Sequence, residues 1–524
     1  MKFKIIVHIF LFISLFTIGD FVSAQGLIPN DPDYSKQWYL DKLQMPMVWA
    51  QESGTNDVVI AIIDSGVDIS HPDLHDNIWV NQKEILGDGL DNDLNGYIDD
   101  INGWDFIDNN NDPSPKYSST CSNNDNCLRD AVFHGTVIAG VAAAIGNNGI
   151  GIAGMSWHAK IMPLRVLSQN GSGNTVDVSK AIDYAVDNGA DIINLSFVGD
   201  TFDLGLQQAL ERAFQKGLII VAAGGNEDIQ GHRVNLDAHK MYPICHESAN
   251  HENIIIGVGA VDDNNKLAIF SNYGSSCIDI LAPGDNFYGT VVYNPLLLGF
   301  KLYYDGGFSG TSLAAPVISG LAALIKSAKP SLTNSEVRDL ILNNADNIDA
   351  LNPEFAGQLG KGLVAPVKVF QALKVSVGMG QLIKGSEKTV YYYALDGKRY
   401  VFPDEATYYS WFDDFKSVKI ISAADIAQIP LGGNVTMRPG VYLIKLTSSP
   451  QVYAVSQGGV LRLIDNEQTA QALYGANWAK AVRDISDAYF TNYKIGAIIA
   501  SPADFDPFIE KNRVVSIDID KGLK

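Results

Sequence analysis

Residues 58–68 read VVIAIIDSGVD, and this stretch decides the fold of most of the chain. Val58 to Ile63 is a continuous apolar run dominated by β-branched residues, which is typical of a strand buried on both faces of a sheet. Asp64 follows the run directly, and Gly66 lets the backbone turn sharply beyond it. The stretch therefore predicts a buried strand that carries a carboxylate to the edge of a sheet.

The same strand pattern recurs downstream, with a helix between two of the copies. Residues 191–195 and 218–222 are predicted strands, and residues 204–215 have apolar side chains at helical spacing. Alternating strands and helices predict a mostly parallel α/β sheet with helices on both faces. Ligands of such sheets bind at the carboxyl ends of the strands, which is where Ser196 and Asn226 fall, like Asp64.

The N-terminus predicts export. Lys2 and Lys4 precede an apolar run from Ile5 to Ile18 that is short for a membrane span, and residues 22–24 read VSA, a small-residue cleavage pattern. Residues 1–24 are therefore predicted to be a signal peptide, with an uncleaved anchor as the alternative. After its removal we expect a secreted or cell-surface protein with no integral membrane span.

Length and charge limit the remaining possibilities. A chain of 524 residues is long enough for more than one domain. Its formal net charge of −21 argues against nucleic acid as a partner, because a phosphate-binding surface needs clustered Lys and Arg. The same acidity suits an extracellular protein or one that binds cations.

Four cysteines in an exported chain predict two disulfides. They are Cys121, Cys127, Cys245 and Cys277, and three pairings are possible. Pairing Cys121 with Cys127 closes a short loop and leaves Cys245 with Cys277. Four free thiols are the alternative if the chain is not exported.

Residues 378–524 differ in character from residues 25–377 and contain an approximate duplication. Val390 begins one copy and Val452 the other, and each copy continues through a turn, an apolar strand and a helical segment with a tryptophan, Trp411 or Trp478. This pattern predicts a smaller α+β accessory domain of unassigned function. Its aromatic residues suit sugar stacking or, more commonly, a core, and the domain is a candidate for binding a cell-surface component.

Three polar residues form a candidate catalytic set. A serine hydroxyl becomes a nucleophile when a base takes its proton and a third group orients that base. Asp64 lies in DSGVD, His134 opens HGTVIAG at residues 134–140, and Ser312 lies in GTSLAAP at residues 310–316. The stretch after Ser312 is a predicted helix, whose N-terminus favours developing negative charge.

These three stretches resemble the signature motifs of the subtilase family, and their order, Asp, His, Ser, is that of subtilisin. The resemblance covers roughly residues 28 to 350. It implies a three-layer, doubly wound α/β fold and a serine endopeptidase that uses Asp64, His134 and Ser312. Asn226 resembles the family's oxyanion-hole asparagine. The alternative is a non-catalytic surface or adhesion protein on the same scaffold.

The resemblance also implies a substrate-binding cleft. Residues 194–199, NLSFVG, resemble the segment that pairs with the substrate backbone and walls the primary specificity pocket. The implied substrate-binding residues are Leu195, Ser196, Phe197, Val198, Gly199, Ala223, Gly224 and Gly225. The family usually has glycine where Val198 stands, which leaves the preference at P1 open. The similarity begins at residues 30–32, so we expect a chain that folds without a long pro-segment or is controlled in another way.

Calcium is the expected cofactor, at two places. Residues 91–99, DNDLNGYID, place oxygen ligands at alternate positions and turn at a glycine, which is the logic of a calcium loop. Its predicted ligands are Asp91, Asp93, Asn95, Tyr97 and Asp99, with a solvated acidic turn as the alternative. The resemblance implies a second site, formed by Asp31, Asp73 and Asn148 with the carbonyl groups of Ile145, Ile150 and Ile152.

Overall fold

A computed structural model describes residues 26–117, 129–227, 231–248, 250, 253–373, 377–385, 387–421 and 423–523. The predicted signal peptide and the predicted Cys121–Cys127 pair lie outside the described residues. Every structural statement below refers to the described part of the chain.

A seven-stranded parallel sheet forms the centre of the first domain, as the alternating pattern predicts. Its strands are β1 (Val59–Asp64), β2 (Trp104–Asp105), β3 (Lys160–Arg165), β4 (Ile192–Leu195), β5 (Ile219–Ala223), β6 (Ile256–Val261) and β7 (Ile280–Pro283), in the order β2-β3-β1-β4-β5-β6-β7. All six residues of β1 are buried. The opening stretch therefore forms a fully buried interior strand of the sheet, as predicted.

Helices cover both faces of this sheet. They are α1 (Trp38–Lys42), α2 (Met45–Trp49), α3 (Arg129–Ala143), α4 (Thr175–Asp187), α5 (Leu204–Gln215), α6 (Thr311–Ala328), α7 (Asn334–Asn343) and α8 (Pro366–Leu373). Ile60 and Ile62 of β1 pack into a core with α3 and α6, while Ala61 and Ile63 pack into a core with α4 and α5. Alternate residues of one strand thus belong to two cores, which gives the predicted three-layer architecture.

The helix α6 runs through the middle of one core. Among the described helices it is the one long and apolar enough to cross a membrane, yet 78% of it is buried inside the protein. Its sequence is therefore that of a core helix. The hairpin before it consists of β8 (Phe287–Thr290) and β9 (Tyr304–Phe308), which pair antiparallel.

A disulfide joins Cys245 to Cys277. Cys245 lies in the connection between β5 and β6, and Cys277 lies just before β7, so the bond ties this connection to the sheet. The backbone N–H of Cys245 also donates to the carbonyl of Met241 at 3.0 Å, which extends the restraint toward residue 241.

Two five-stranded sheets follow, and they share one strand order. The first contains β10 (Gln381–Lys384), β11 (Val390–Tyr393), β12 (Arg399–Val401), β13 (Lys419–Ile420) and β14 (Leu431–Asn434), and the second contains β15 (Leu443–Leu446), β16 (Val452–Ser456), β17 (Val460–Leu463), β18 (Val482–Ile485) and β19 (Lys494–Ile495). In each, three antiparallel strands are flanked by a parallel strand on either side.

Helices complete this C-terminal part: α9 (Glu405–Trp411), α10 (Ala423–Gln428), α11 (Glu467–Tyr474), α12 (Pro507–Arg513) and α13 (Ile517–Lys521). The last helix returns to both sheets. Asp518 accepts hydrogen bonds from the Tyr392 hydroxyl and from the backbone of Leu395, and Asp520 accepts from Thr436 and from the backbone of Gly458. Helix α13 therefore links the two five-stranded sheets.

Candidate active site

Asp64 and His134 form a hydrogen-bonded pair at the carboxyl end of β1. His134 Nδ1 lies 2.7 Å from Asp64 Oδ1, and the aspartate is fully buried. The backbone N–H of Ser65 donates to the same oxygen at 2.6 Å, which fixes the carboxylate. The His134 side chain keeps 27% of its surface exposed, so the other face of its ring remains accessible from the cleft.

Close packing of α3 against β1 makes this pair possible. A Cβ on Gly135 would lie 2.2 Å from the carbonyl oxygen of Gly66 and 3.2 Å from Cβ of Asp64. Further along α3, a Cβ on Gly140 would lie 2.1 Å from Oγ1 of Thr290. The distances of 2.2 and 2.1 Å are far below van der Waals contact, so a side chain at either glycine would push α3 away from its neighbours. The small residues of the HGTVIAG stretch are therefore what allow the imidazole to reach the carboxylate.

Ser312 lies in the first turn of α6 and shares a cleft of about 330 Å³ with His134. Residues of α3 and of β9 form the opposite walls of this cleft. The hydroxyl of Ser196 donates to the carbonyl oxygen of Ser312 at 3.0 Å. The cleft thus brings the predicted nucleophile and the predicted base together.

A buried chain of hydrogen bonds fixes the start of α6 against the sheet. The Ser319 hydroxyl donates to Oδ1 of Asn194 at 2.8 Å, and Nδ2 of Asn194 donates to the Ser196 hydroxyl at 2.9 Å. Ser196 in turn donates to Ser312. Because buried polar groups need partners, these hydrogen bonds fix the position of α6 relative to β4.

Asn226 is oriented toward Ser312 by its own acceptor. Its Oδ1 accepts hydrogen bonds from the backbone N–H of Thr311 at 2.9 Å and from the Thr311 hydroxyl at 3.1 Å. The Nδ2 of the same amide therefore points away from Thr311. A Cβ on Gly310 would lie 3.2 Å from this Nδ2 and 2.9 Å from the Ser312 Oγ, so both polar atoms surround one point.

The eight predicted substrate-binding residues lie together at one sheet edge. Strands β4 and β5 are parallel neighbours, with Leu195 opposite Ala222, so the residues that follow each strand emerge side by side. The backbone of Gly199 exchanges two hydrogen bonds with that of Tyr242, at 2.7 and 2.8 Å. This antiparallel bridge holds one end of residues 196–199 against the 241–242 segment.

The electrostatic surroundings favour the protonated form of His134. Burial lowers its pKa, but the contact with the Asp64 carboxylate and the charge of Asp130 outweigh that effect, and the net pKa is raised. Asp130 precedes His134 by one turn of α3 and lines the same cleft. A charge that stabilises an imidazolium also opposes its deprotonation to the basic form.

The predicted calcium loop brings together two of its five residues and one that the sequence did not indicate. Carboxylate oxygens of Glu84, Asp91 and Asp93 lie within 4.8 Å of one another. Asp99 is not part of this cluster, and its carboxylate accepts hydrogen bonds from the backbones of Gly87 and Gly89.

The amide and ring of the same loop also point elsewhere. The Asn95 oxygen accepts from its neighbour Tyr97, and the Asn95 amide donates to Asp100. The Tyr97 ring packs against Trp104 and Tyr184. Three clustered carboxylates suit Ca²⁺, which binds through oxygen ligands.

The residues of the second predicted calcium site also meet. Asp31 and Asp73 are buried, Asn148 donates to Asp73 at 2.7 Å, and the backbone of Asn148 donates to Asp31 at 3.0 Å. Burial raises the pKa of Asp73 to about 6, and the nearby charge of Asp31 adds to the rise. Two interacting buried carboxylates are stabilised by a cation, which fits the expected ligand chemistry.

Ile145, Ile150 and Ile152 border this second site. The N–H of Ile152 donates to Asp73 at 2.9 Å, the N–H of Ile145 donates to the carbonyl of Asp73, and the N–H of Ile150 donates to the Asn148 side chain. The three residues are thus held around the two carboxylates.

Comparisons with known proteins find several relatives of this chain. The model of the subtilase family matches residues 55–362. The thermophilic serine proteinase of Bacillus sp. (strain AK1) is 35% identical over 62% of this chain and 66% of its own length. Thermitase of Thermoactinomyces vulgaris is 35% identical over 66% of this chain and 99% of its own length. A solved protease from Pseudoalteromonas arctica superposes with a TM-score of 0.51 at 27% identity, over 66% of this chain and 99% of that structure.

Replacing Asp130 with asparagine is expected to lower the pKa of His134, because it removes a negative charge that raises this pKa. Histidine-selective ¹³C NMR titration measures this shift. Asp57→Asn is the matched control, because Asp57 is exposed at the opposite end of β1. An unchanged His134 titration in Asp130→Asn would contradict the assigned role of this charge.

Proposed function

The chain belongs to the subtilase family, and we propose that it is a secreted, calcium-stabilised serine endopeptidase that acts through Ser312. One observation carries the catalytic part of this proposal. His134, which is hydrogen-bonded to the buried Asp64, lines the cleft that also contains Ser312. A base oriented by a carboxylate beside a serine hydroxyl is the arrangement that acyl transfer requires.

In the proposed reaction the Ser312 Oγ attacks the carbonyl carbon of a peptide bond while His134 Nε2 takes the hydroxyl proton. Asp64 holds the imidazole in the required tautomer and stabilises the imidazolium. The imidazolium then protonates the leaving amine as the C–N bond breaks. Water, deprotonated by His134, releases the acyl group and restores the serine.

Asn226 is proposed to stabilise the tetrahedral intermediate. Because Thr311 occupies its Oδ1, the amide hydrogens of Asn226 are free to meet an oxyanion formed at Ser312. In subtilisin the corresponding asparagine contributes about 2.7–4 kcal/mol to transition-state stabilisation. Such preorganised donors are effective because they need no reorientation during the reaction.

Ser312→Ala is expected to abolish hydrolysis of a peptide p-nitroanilide, and Asn226→Ala to lower kcat by roughly 10²–10³-fold with a smaller change in KM. Ser327→Ala, at the other end of the same helix, is the matched control and should retain wild-type rates. Wild-type protein that is folded yet inactive on a mixed peptide library would instead support the non-catalytic surface or adhesion protein.

The calcium part of the proposal rests on the two carboxylate groupings. Glu84, Asp91 and Asp93 would hold one ion, and Asp31 and Asp73 with the Asn148 side chain would hold another. An ion bound only by the folded state stabilises it, by about 2.7 kcal/mol when the free concentration is a hundred times Kd. The ion would also neutralise clustered negative charge in a chain whose formal net charge is −21.

Removing calcium with EDTA is expected to lower the melting temperature of Ser312→Ala protein, which cannot digest itself. Adding back Ca²⁺ should restore the melting temperature, whereas Mg²⁺ should not. Glu84→Gln with Asp93→Asn, and separately Asp73→Asn, should each remove part of the calcium response. Identical melting curves at micromolar and millimolar free Ca²⁺ would overturn the proposal.

Export is proposed from the sequence of the N-terminus together with the disulfide. A stable Cys245–Cys277 bond is typical of proteins in oxidising compartments outside the cytosol. Residues 1–24 would direct this export and then be removed. Protein and peptide substrates outside the cell are the partners that such an enzyme would meet.

We propose further that residues 378–524 form a separate accessory domain that binds a cell-surface saccharide. The two sheets carry hollows, that is surface pockets, of about 420 and 380 Å³ at corresponding positions. Each combines an aromatic ring, Phe415 or Trp478, with the carboxylate that begins the adjacent helix, Glu405 or Glu467. Rings stack on sugar faces and carboxylates accept from hydroxyl groups, and two sites along one domain suit a repeating polymer.

Full-length Ser312→Ala protein is expected to sediment with purified peptidoglycan sacculi. Phe415→Ala or Trp478→Ala should each weaken this binding, and the double variant should lose it. Phe508→Ala is the control, because Phe508 is an exposed aromatic residue outside both hollows. Failure of the wild-type protein to sediment would contradict the proposed ligand.

A further inference from the structure

We infer that Val198 and Met241 fill the space that would receive the P1 side chain, so the enzyme selects substrates with a small residue at P1. This inference rests on the proposed endopeptidase function and names the substrate class of the same site. It depends on the packing around Gly225, which directly precedes Asn226.

The position of the P1 side chain follows from the catalytic groups. The attacked carbonyl must lie between Ser312 Oγ and Asn226 Nδ2, and the P1 carbon is bonded to that carbonyl. The backbone beside these groups consists of residues 196–199 after β4 and residues 224–226 after β5, which emerge side by side. The P1 side chain must therefore enter the gap between these two segments.

The gap is narrow because Gly225 has two side chains against it. Gly225 has a φ of +82°, a conformation that favours glycine. A Cβ there would lie 2.9 Å from Cγ2 of Val198 and 3.3 Å from Sδ of Met241. The Asn272 amide nitrogen would lie 2.8 Å from the same point. The side chains of Val198 and Met241 therefore lie directly beside the backbone of Gly225 and narrow the gap.

The backbone segments that carry both side chains are held in place. The backbone bridge between Gly199 and Tyr242 fixes both segments one residue beyond Val198 and Met241. The sulfur of Met241 lies 3.4 Å from the amide of Asn272, a side chain that is itself fully buried. The Cys245–Cys277 disulfide anchors the Met241 segment from the other side.

A narrow pocket discriminates by excluding large side chains. Glycine, which has no side chain, and the small side chains of alanine and serine fit beside Gly225 without displacing Val198 or Met241. Phenylalanine, leucine and lysine would require one of the two side chains to leave its packed position. Steric differences of a few methylene groups in a rigid pocket commonly change kcat/KM by tenfold or more.

The test uses peptide p-nitroanilides that differ only in having alanine or phenylalanine at P1, with active-site concentration titrated by a fluorophosphonate. Wild-type enzyme is expected to prefer alanine by at least tenfold in kcat/KM. Val198→Gly should raise the ratio of kcat/KM for phenylalanine to that for alanine at least tenfold. Met241→Ala should raise the same ratio, and it provides the test if Val198→Gly does not fold. Val176→Ala, an exposed valine of α4, should leave the ratio unchanged.

A wild-type enzyme that cleaves after phenylalanine as fast as after alanine would overturn the inference while leaving the proposed function intact. An unchanged ratio in folded Val198→Gly and Met241→Ala would also overturn it. Absence of any peptide hydrolysis by fluorophosphonate-reactive protein would overturn the proposed function, and the inference with it.

Discussion

The hydrogen bond between Asp64 and His134 joins the interior strand β1 to helix α3, which packs across it, and the rest of the site is arranged around this contact. The hydrogen bond requires an aspartate in a fixed position. The fully buried strand β1 fixes its backbone, and the N–H of Ser65 fixes its carboxylate. The hydrogen bond also requires a helix that approaches the strand more closely than ordinary side chains permit, which Gly135 allows.

Parallel strand order then determines which other residues can reach this pair. Because β1, β4 and β5 are neighbours and end at the same edge, Asp64, Ser196 and Asn226 emerge within one region of the surface. Helix α6 closes the region by bringing Ser312 from far along the chain. Its apolar sides are buried in the core, while Ser319, Asn194 and Ser196 fix its position through hydrogen bonds. The core supplies the stability and the polar chain supplies the register.

The sequence predicted the parts of this structure that short patterns encode. The apolar run of β1, the small residues of α3 from His134 to Gly140 and the helix after Ser312 are local signals, and the structure has each of them. Glu84 was missed because it reaches the acidic loop from several residues outside the alternating pattern. Met241 was missed because the bridge between Gly199 and Tyr242 brings it beside Gly225, and no periodicity signals such a bridge.

Longer-range arrangements were beyond sequence patterns for the same reason. The duplication in residues 378–524 indicated two similar units, but not that each would place a parallel strand on either side of an antiparallel group. The return of α13 to both sheets depends on Asp518 and Asp520, whose partners lie far away in the chain. Buried acidic residues in a short terminal helix carry no local sign of the contacts that they make.

The central claim is that His134 activates Ser312 for attack. The most direct measurement is mass-spectrometric mapping of the residue labelled by a serine-directed fluorophosphonate in the folded chain. We predict one label per chain, on Ser312, formed at least a hundredfold more slowly when His134 is replaced by alanine. Label on another serine, no label on folded wild-type protein, or an unchanged labelling rate in His134→Ala would contradict the account.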